Sequence, residues 1–246
     1  MKVLANDGVS KSGIKSLEKA GFEVITTTVA QEQLIEYIND HQIDVILVRS
    51  ATKVRQDIID SCPSLKIIGR GGVGMDNIDV DYARSKNIKV INTPAASSAS
   101  VAELVFAHLF GGVRFLYDSN RNMPLDGDSK FKELKKNYGG GRELRGKTLG
   151  IVGLGRIGQE VAKIGIGCGM KVIASDKFME TTTISVAFYD KQKLDFKIQT
   201  IPFEQLLKES DFISVHVPAQ KDYIFGKTEF NKMKDGAAII NAARGG

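Results

Sequence analysis

The chain has 246 residues, of which 42% are hydrophobic, 7% aromatic and 26% charged. Those proportions exclude a disordered tail, a collagen and a coiled coil; at ~150 residues per domain they fit one large or two small globular domains whose core needs no disulfides. The formal charge is +5, from 34 Lys and Arg against 29 Asp and Glu, and the excess is spread along the chain. Its densest run, Lys130 to Lys147, reads as a solvated helix and loop, and the excess is too diffuse to argue for nucleic acid, so no nucleic-acid partner is expected. Cys62 and Cys168 lie far apart without metal-ligand spacing, which predicts free thiols, a reducing compartment and no metal. The N-terminus turns polar by Asn6, and the most apolar long stretch, Val101 to Leu116, carries Glu103, His108 and Arg114. Neither a signal peptide nor a membrane span is expected, and the chain reads as cytoplasmic.

The first ninety residues alternate short Val- and Ile-rich runs with amphipathic ones. Strands are predicted at 2–5, 23–27, 45–48, 66–68 and 89–91. Helical spacing occupies 12–20, 31–40, 56–61 and 80–86; Leu34, Ile35 and Ile38, for example, share one face. This alternation predicts an α/β fold with a parallel sheet covered on both faces. The texture changes at Asn92-Thr93-Pro94, which places a domain boundary at about residue 93, giving domains 1–93 and 94–246. A long helix follows, apolar around most of its circumference (Val101, Leu104, Val105, Leu109, Phe110, Val113), and so expected inside a domain or a subunit interface. A polar stretch comes next. Strands then return at 149–152, 171–174, 212–217 and 237–241, with helices at 157–166 and 203–209. Residues 179–200 read as an irregular excursion. Gly165, Gly167 and Gly169 crowd the end of the 157–166 helix, and an interior Gly costs ~1 kcal/mol, so that helix is expected to finish early.

The central motif is Gly153-Leu154-Gly155-Arg156-Ile157-Gly158. An apolar strand leads in and a helix leads out, and Asp176 closes the next strand 18 residues beyond Gly158. In that context G-x-G-x-x-G is the dinucleotide fingerprint. Gly153 permits the tight turn, Gly155 lets a pyrophosphate approach the backbone, and Gly158 lets helix and strand pack closely. The helix N-terminus offers N–H groups and partial positive charge to the pyrophosphate. Asp176 would accept hydrogen bonds from the adenosine ribose and repel a 2′-phosphate, which points to NAD; the neighbouring Lys177 would soften that repulsion. The run Gly141 to Thr148 spells a Walker A pattern, but its strand follows the loop instead of preceding it, so a solvated loop is expected there. A third cluster, Gly69-Arg70-Gly71-Gly72-Val73-Gly74-Met75-Asp76-Asn77, follows a strand and could present backbone N–H groups to an anion. His216, in an apolar strand, reads as structural. Arg244, beyond the last strand, is placed to meet a carboxylate or a polarised carbonyl.

Together these segments (Gly69 to Asp79, Asn92 to Pro94, Glu143 to Ala162, Ser210 to Pro218 and Asn241 to Gly246) resemble the D-isomer-specific 2-hydroxyacid dehydrogenases, leaning toward their phosphoglycerate branch. The resemblance implies two doubly wound parallel-sheet domains, a flavodoxin-like substrate domain and a Rossmann NAD-binding domain, with the active site in the cleft between them. It implies NAD-dependent oxidation of D-3-phosphoglycerate to 3-phosphohydroxypyruvate, a step of serine biosynthesis. Arg244 matches the catalytic arginine that holds the substrate carboxylate. Val73 and Gly74 match the loop that grips that carboxylate, and Arg49 and Arg70 match positions that help bind anionic groups. Val73, Arg156, Ile157, Asp176, Val217, Ala242 and Ala243 match cofactor contacts, and His216 matches a cofactor-side position. A homodimer through the cofactor domain, burying the helix from about Ser98, is implied as well. In the family a Glu and the acid–base His lie downstream of the arginine. They have no counterpart up to Gly246, and His41 and His108 lack the matching context, so residues 1–246 alone are expected to be nearly inactive. Two other readings stay open: a reductase of glyoxylate, hydroxypyruvate or another 2-keto acid, and an NAD-binding interaction protein without catalysis.

Overall fold

The structure is a computed structural model that describes residues 1–218 and 220–243. It divides into two compact units, Met1–Ser97 and Ser98–Gly246, so the division falls four residues beyond the boundary placed at residue 93 on texture.

The first unit runs β1 (Lys2–Ala5), α1 (Lys11–Lys19), β2 (Glu23–Ile25), α2 (Leu34–His41), β3 (Val45–Val48), α3 (Gln56–Ser61), β4 (Ile67–Arg70), α4 (Val80–Ser85) and β5 (Lys89–Asn92). All five strands are parallel in the order β2-β1-β3-β4-β5. Leu4, Ile46 and Ile68 on the central strands pack with Leu34, Ile38 and Ile58 from the helices, all at most 1% exposed. That burial on both faces is why the central strands read as unbroken apolar runs. The chain reverses direction across the sheet between β1 and β3, and the crevice beyond such a switch point is where ligands collect in open parallel sheets.

The second unit opens with α5 (Ser98–Val113) and α6 (Leu116–Tyr138). It continues through β6 (Thr148–Val152), α7 (Arg156–Gly167), β7 (Lys171–Ser175), β8 (Thr181–Ala187), β9 (Lys193–Gln199), α8 (Phe203–Glu209), β10 (Phe212–Val215), α9 (Lys227–Phe230) and β11 (Ala238–Asn241). A parallel sheet in the order β11-β10-β6-β7 forms its centre, with its switch point between β6 and β10. On one face, α5 and α7 bury Val105, Phe106, Leu109 and Val161 against Leu149 and Ile151. On the other, α8 buries Leu206 and Leu207 against Val152 and Ile213. Among the described residues, no single helix is long and apolar enough to cross a membrane.

Three readings of this unit are extended or corrected. The basic run from Lys130, read as a solvated helix and loop, is the end of a longer helix α6, kinked at Lys130 (φ −121°), and the loop that follows Tyr138. The helix buries only Leu134 and contains Pro124, so it has no apolar stripe for the sequence to show. Its ends meet through the Tyr138 hydroxyl, which donates to Asp118 Oδ2 at 2.8 Å. Residues 179–200 are not irregular: β8 and β9 pair antiparallel, Ile184 opposite Phe196, with Ile184 and Ile198 buried in the core. Third, α7 does not finish early. It runs to Gly167 and stops at Gly169, whose φ of +72° ends the helix in the left-handed region. Gly165 is retained inside it because a Cβ there would lie 2.9 Å from Leu149 Cδ2 and 3.2 Å from Val172 Cγ2. Its missing side chain sets the distance between helix and sheet.

Candidate functional site

In the second unit the turn from β6 to α7 carries the glycine fingerprint. Gly153 has φ +92°, and a Cβ on it would lie 2.7 Å from the His216 carbonyl oxygen, on the neighbouring strand's extension. Only glycine fits both the conformation and the approach. Gly158 is excluded from larger residues by contact: a Cβ would overlap the Gly153 carbonyl and sit 3.1 Å from Ile151 Cγ2. Gly155 differs. It is the N-cap of α7, it makes no side-chain cap, and a Cβ there would meet nothing within 4 Å. The open space above Gly155 and the uncapped first-turn N–H groups of α7 are what a pyrophosphate requires. The residues present therefore fit a bound dinucleotide.

Asp176, the ribose acceptor read from sequence, follows β7 and is also tied into this loop. Its Oδ2 accepts the Leu154 N–H at 2.7 Å, and its Oδ1 accepts the N–H groups of Phe178 at 2.8 Å and Met179 at 3.1 Å. The carboxylate has lone pairs left for a ligand, but its position is set by main-chain donors on two sides. Lys177 beside it is exposed. Arg156 is exposed in the first turn of α7, while Ile157 packs on the core. Val217 and Ala243 line a cavity of about 280 Å³ with Val215, Tyr223 and Asn241, at the ends of β10 and β11. Ala242 packs on the α5/α7 core, and the Ala243 N–H donates to Asn241 Oδ1 at 3.0 Å. His216 lies in this region: its Nε2 shares a 2.7 Å hydrogen bond with the Ser214 hydroxyl, and its Nδ1 is buried with no partner among the described residues. Burial pushes its pKa down to about 4, so the ring is neutral at physiological pH. Arg244 lies outside the described residues. Among the described residues, no group of three His, Cys, Asp or Glu could hold a metal ion.

In the first unit the carboxyl edge of the sheet encloses a cavity of about 730 Å³ lined by Asp7, Val48, Arg49, Arg70, Gly71 and Asn92. Val73 and Gly74 belong to the loop that follows β4. Their N–H groups have no partner among the described residues. The loop is instead held by its carbonyls: Asn92 Nδ2 donates to Val73 O at 2.7 Å, and Arg70 Nη1 donates to Gly74 O. Arg70 Nε also donates to Arg49 O at 3.1 Å. Arg70 thus shapes the loop as well as lining the cavity. Arg49 is exposed, and its guanidinium makes no ion pair or hydrogen bond within the described residues. Asp7 and Asn77 hold the main chain around Arg49, contacts that the sequence reading did not anticipate. The only signal for Asp7 was a carboxylate just beyond a strand end.

Comparison with known proteins agrees with this geometry. Residues 106–246 match the family model described as D-isomer specific 2-hydroxyacid dehydrogenase, NAD binding domain. A hydroxypyruvate reductase of Thermotoga maritima is 41% identical over 248 residues, covering 100% of this chain and 74% of the relative. A D-3-phosphoglycerate dehydrogenase of Archaeoglobus fulgidus is 40% identical over 250 residues, covering 100% of this chain but 44% of the relative. Among solved structures, an NAD⁺-bound 3-phosphoglycerate dehydrogenase of Entamoeba histolytica superposes with a TM-score of 0.71 at 32% identity, over 99% of this chain and 72% of the other. The chain belongs to the D-isomer specific 2-hydroxyacid dehydrogenase family, whose members are NAD-dependent oxidoreductases acting on small 2-hydroxy or 2-keto acids. NAD is its cofactor. The chain spans about three quarters of the Thermotoga relative and less than half of the Archaeoglobus one.

Proposed function

We propose that the protein oxidises D-3-phosphoglycerate to 3-phosphohydroxypyruvate, the second unit holding NAD and the first gripping the acid. The observation that carries this reading is the edge of the first unit. There the N–H groups of Val73 and Gly74, without a partner among the described residues, sit in one loop, and the Arg49 guanidinium, likewise unpaired among them, lines the cavity beside it. Such an edge suits a doubly anionic substrate: backbone donors for a carboxylate and a guanidinium for a second anion. Gly153, Gly155, Gly158, Arg156, Ile157, Asp176, Val217, Ala242 and Ala243 serve the cofactor, with Arg70 supporting the substrate loop. Arg244 is assigned to the substrate carboxylate and the C2 oxygen. When bound, NAD⁺ supplies the acceptor for the hydride that leaves C2, while the hydroxyl proton passes to a base.

The test is a comparison of D-3-phosphoglycerate with D-glycerate at saturating NAD⁺. At least tenfold tighter use of the phosphorylated acid is expected, about the worth of one charge-assisted contact. Equal use would overturn the phosphoglycerate assignment. The likeness to the Thermotoga hydroxypyruvate reductase favours the second reading, a reductase of hydroxypyruvate or glyoxylate, which predicts preference for the unphosphorylated acid. A homodimer through the second unit also belongs to this proposal. Its support is α5, where Leu104 and Phe110 remain 51% and 44% exposed while Ala102, Val105, Phe106 and Leu109 of the same helix are buried in the core.

A further inference from the structure

The main chain of Arg49 is gripped from two opposite sides. The Arg49 N–H donates to Asp7 Oδ2 at 2.6 Å, and the Thr52 N–H donates to the same oxygen at 3.1 Å. The Thr52 hydroxyl donates to Asp7 Oδ1 at 2.5 Å. From the other side, one amide nitrogen, Asn77 Nδ2, donates to Arg49 O at 2.9 Å and to Thr52 O at 2.6 Å. The turn 49–52 thus has its N–H groups tied to a carboxylate and its carbonyls tied to a carboxamide. Asn6 extends the clamp, donating from Nδ2 to Thr52 Oγ1 at 2.8 Å and to Val29 O at 3.1 Å.

Asp7 takes the amide of Arg49, and the guanidinium has no partner among the described residues, although both residues line the same cavity. A surface carboxylate next to an arginine would ordinarily pair with the head group. Here it is consumed by the turn, so the positive charge is kept for a ligand. Burial alone would raise the Asp7 pKa, but hydrogen bonds from the Thr52 side chain and the turn's amides outweigh it and hold the group below its ordinary 3.8. It is therefore a full acceptor at neutral pH. Asn77 is buried, and its Oδ1 has no partner among the described residues. Only the donating half of its amide is in use.

We propose that Asp7 and Asn77 are positioning residues that aim Arg49 at the anionic group of the substrate by fixing the turn that carries it. The proposal rests on the assignment of Arg49 to substrate binding given above. A long side chain delivers its charge accurately only if its Cα is fixed, and an error of about 1 Å in such a group can cost up to ~100-fold.

A double-mutant cycle tests it. The dissociation constant of D-3-phosphoglycerate is measured by calorimetry with NADH saturating, and that of NADH is measured on the same samples. Asp7→Asn keeps the shape and weakens the acceptor. Asn77→Leu removes both donors together with the orphaned acceptor, and it supplies the test if Asp7→Asn fails to fold. Each substitution is expected to weaken the acid about tenfold, to leave NADH unchanged, and to have no further effect in an Arg49→Gln background. Unchanged affinity in both variants, or an equal loss with Arg49 already replaced, would overturn the positioning role. If Arg49→Gln itself leaves the acid's affinity unchanged, or the parent binds none, the assignment of Arg49 falls and the proposal with it.

Discussion

The Asp176 carboxylate accepts the Leu154 N–H at 2.7 Å across 22 residues of sequence, joining the end of β7 to the middle of the glycine turn. The acid proposed as the ribose acceptor is therefore also a strut of the glycine turn. Its other oxygen is fixed by Phe178 and Met179, so neither end of the carboxylate can shift without moving main chain. Asp176→Ala is expected to weaken NAD⁺ binding about 100-fold and to lower Tm, and Asp176→Asn to weaken it about tenfold, since each lost bond to a charged group is worth ~1.5–3 kcal/mol. Titration of NADH fluorescence measures both. Wild-type affinity in Asp176→Ala would remove Asp176 from the site.

Gly155 and Gly158 separate the requirements of the ligand from those of the fold. A Cβ at Gly155 meets nothing within 4 Å, whereas one at Gly158 overlaps the Gly153 carbonyl. Gly155→Ala should unfold at the parent temperature yet lose NAD⁺ affinity at least tenfold, because the methyl occupies the approach of the pyrophosphate. Gly158→Ala should lose both affinity and stability, by ~1–3 kcal/mol. Thermal melts with and without NAD⁺ distinguish the two, and a destabilised Gly155→Ala would refute the assignment of its space to ligand.

His216 predicts a pH dependence of stability. Burial holds its pKa at about 4 in the folded chain against 6.5 for the free group. Between those values the unfolded chain binds the proton and the folded chain does not, so stability rises with pH through this window. It is complete above about pH 6.5 and is lost as pH falls toward 4, by about 2 kcal/mol for a ring that is not wholly buried. Urea unfolding of wild type and His216→Asn at pH 7.5 and 5 should show a smaller pH difference in the variant. An equal difference in the two proteins would assign the effect to other groups.

The exposed residues of α5 predict association. Leu104→Glu with Phe110→Glu should convert a dimer to monomer in analytical ultracentrifugation without altering the melting of the monomeric core, because both side chains lie outside it. A parent that sediments as a monomer would exclude this interface.

Much of the fold was legible because its signals are local. β3 (Val45–Val48) and α3 (Gln56–Ser61) fall where composition placed them, since a doubly covered parallel strand must be apolar throughout and a helix packed on it must carry a stripe. The glycine fingerprint was legible for the same reason: turn, approach and helix contact fall within six residues. α6 was legible only in its basic second half, read as a solvated helix, because only Leu134 is buried and the first half carries no apolar stripe. The β8–β9 hairpin was missed because Thr, Ser, Asp and Lys fill its solvent face and only Ile184 and Ile198 are buried.

By itself, the sequence determined the alternating α/β elements, the glycine turn between β6 and α7 with Asp176 at the end of the next strand, and the glycine-rich loop that carries Val73 and Gly74. Each is a run of neighbouring residues whose types dictate its conformation. The tertiary structure alone decided how those parts are held. Arg49 meets Asp7 across 42 residues and Asn77 across 28, and Asp176 reaches Leu154 from the next strand. Polar side chains are short, and which backbone group one of them meets depends on the strand order of the sheet, which brings distant loops to the same edge.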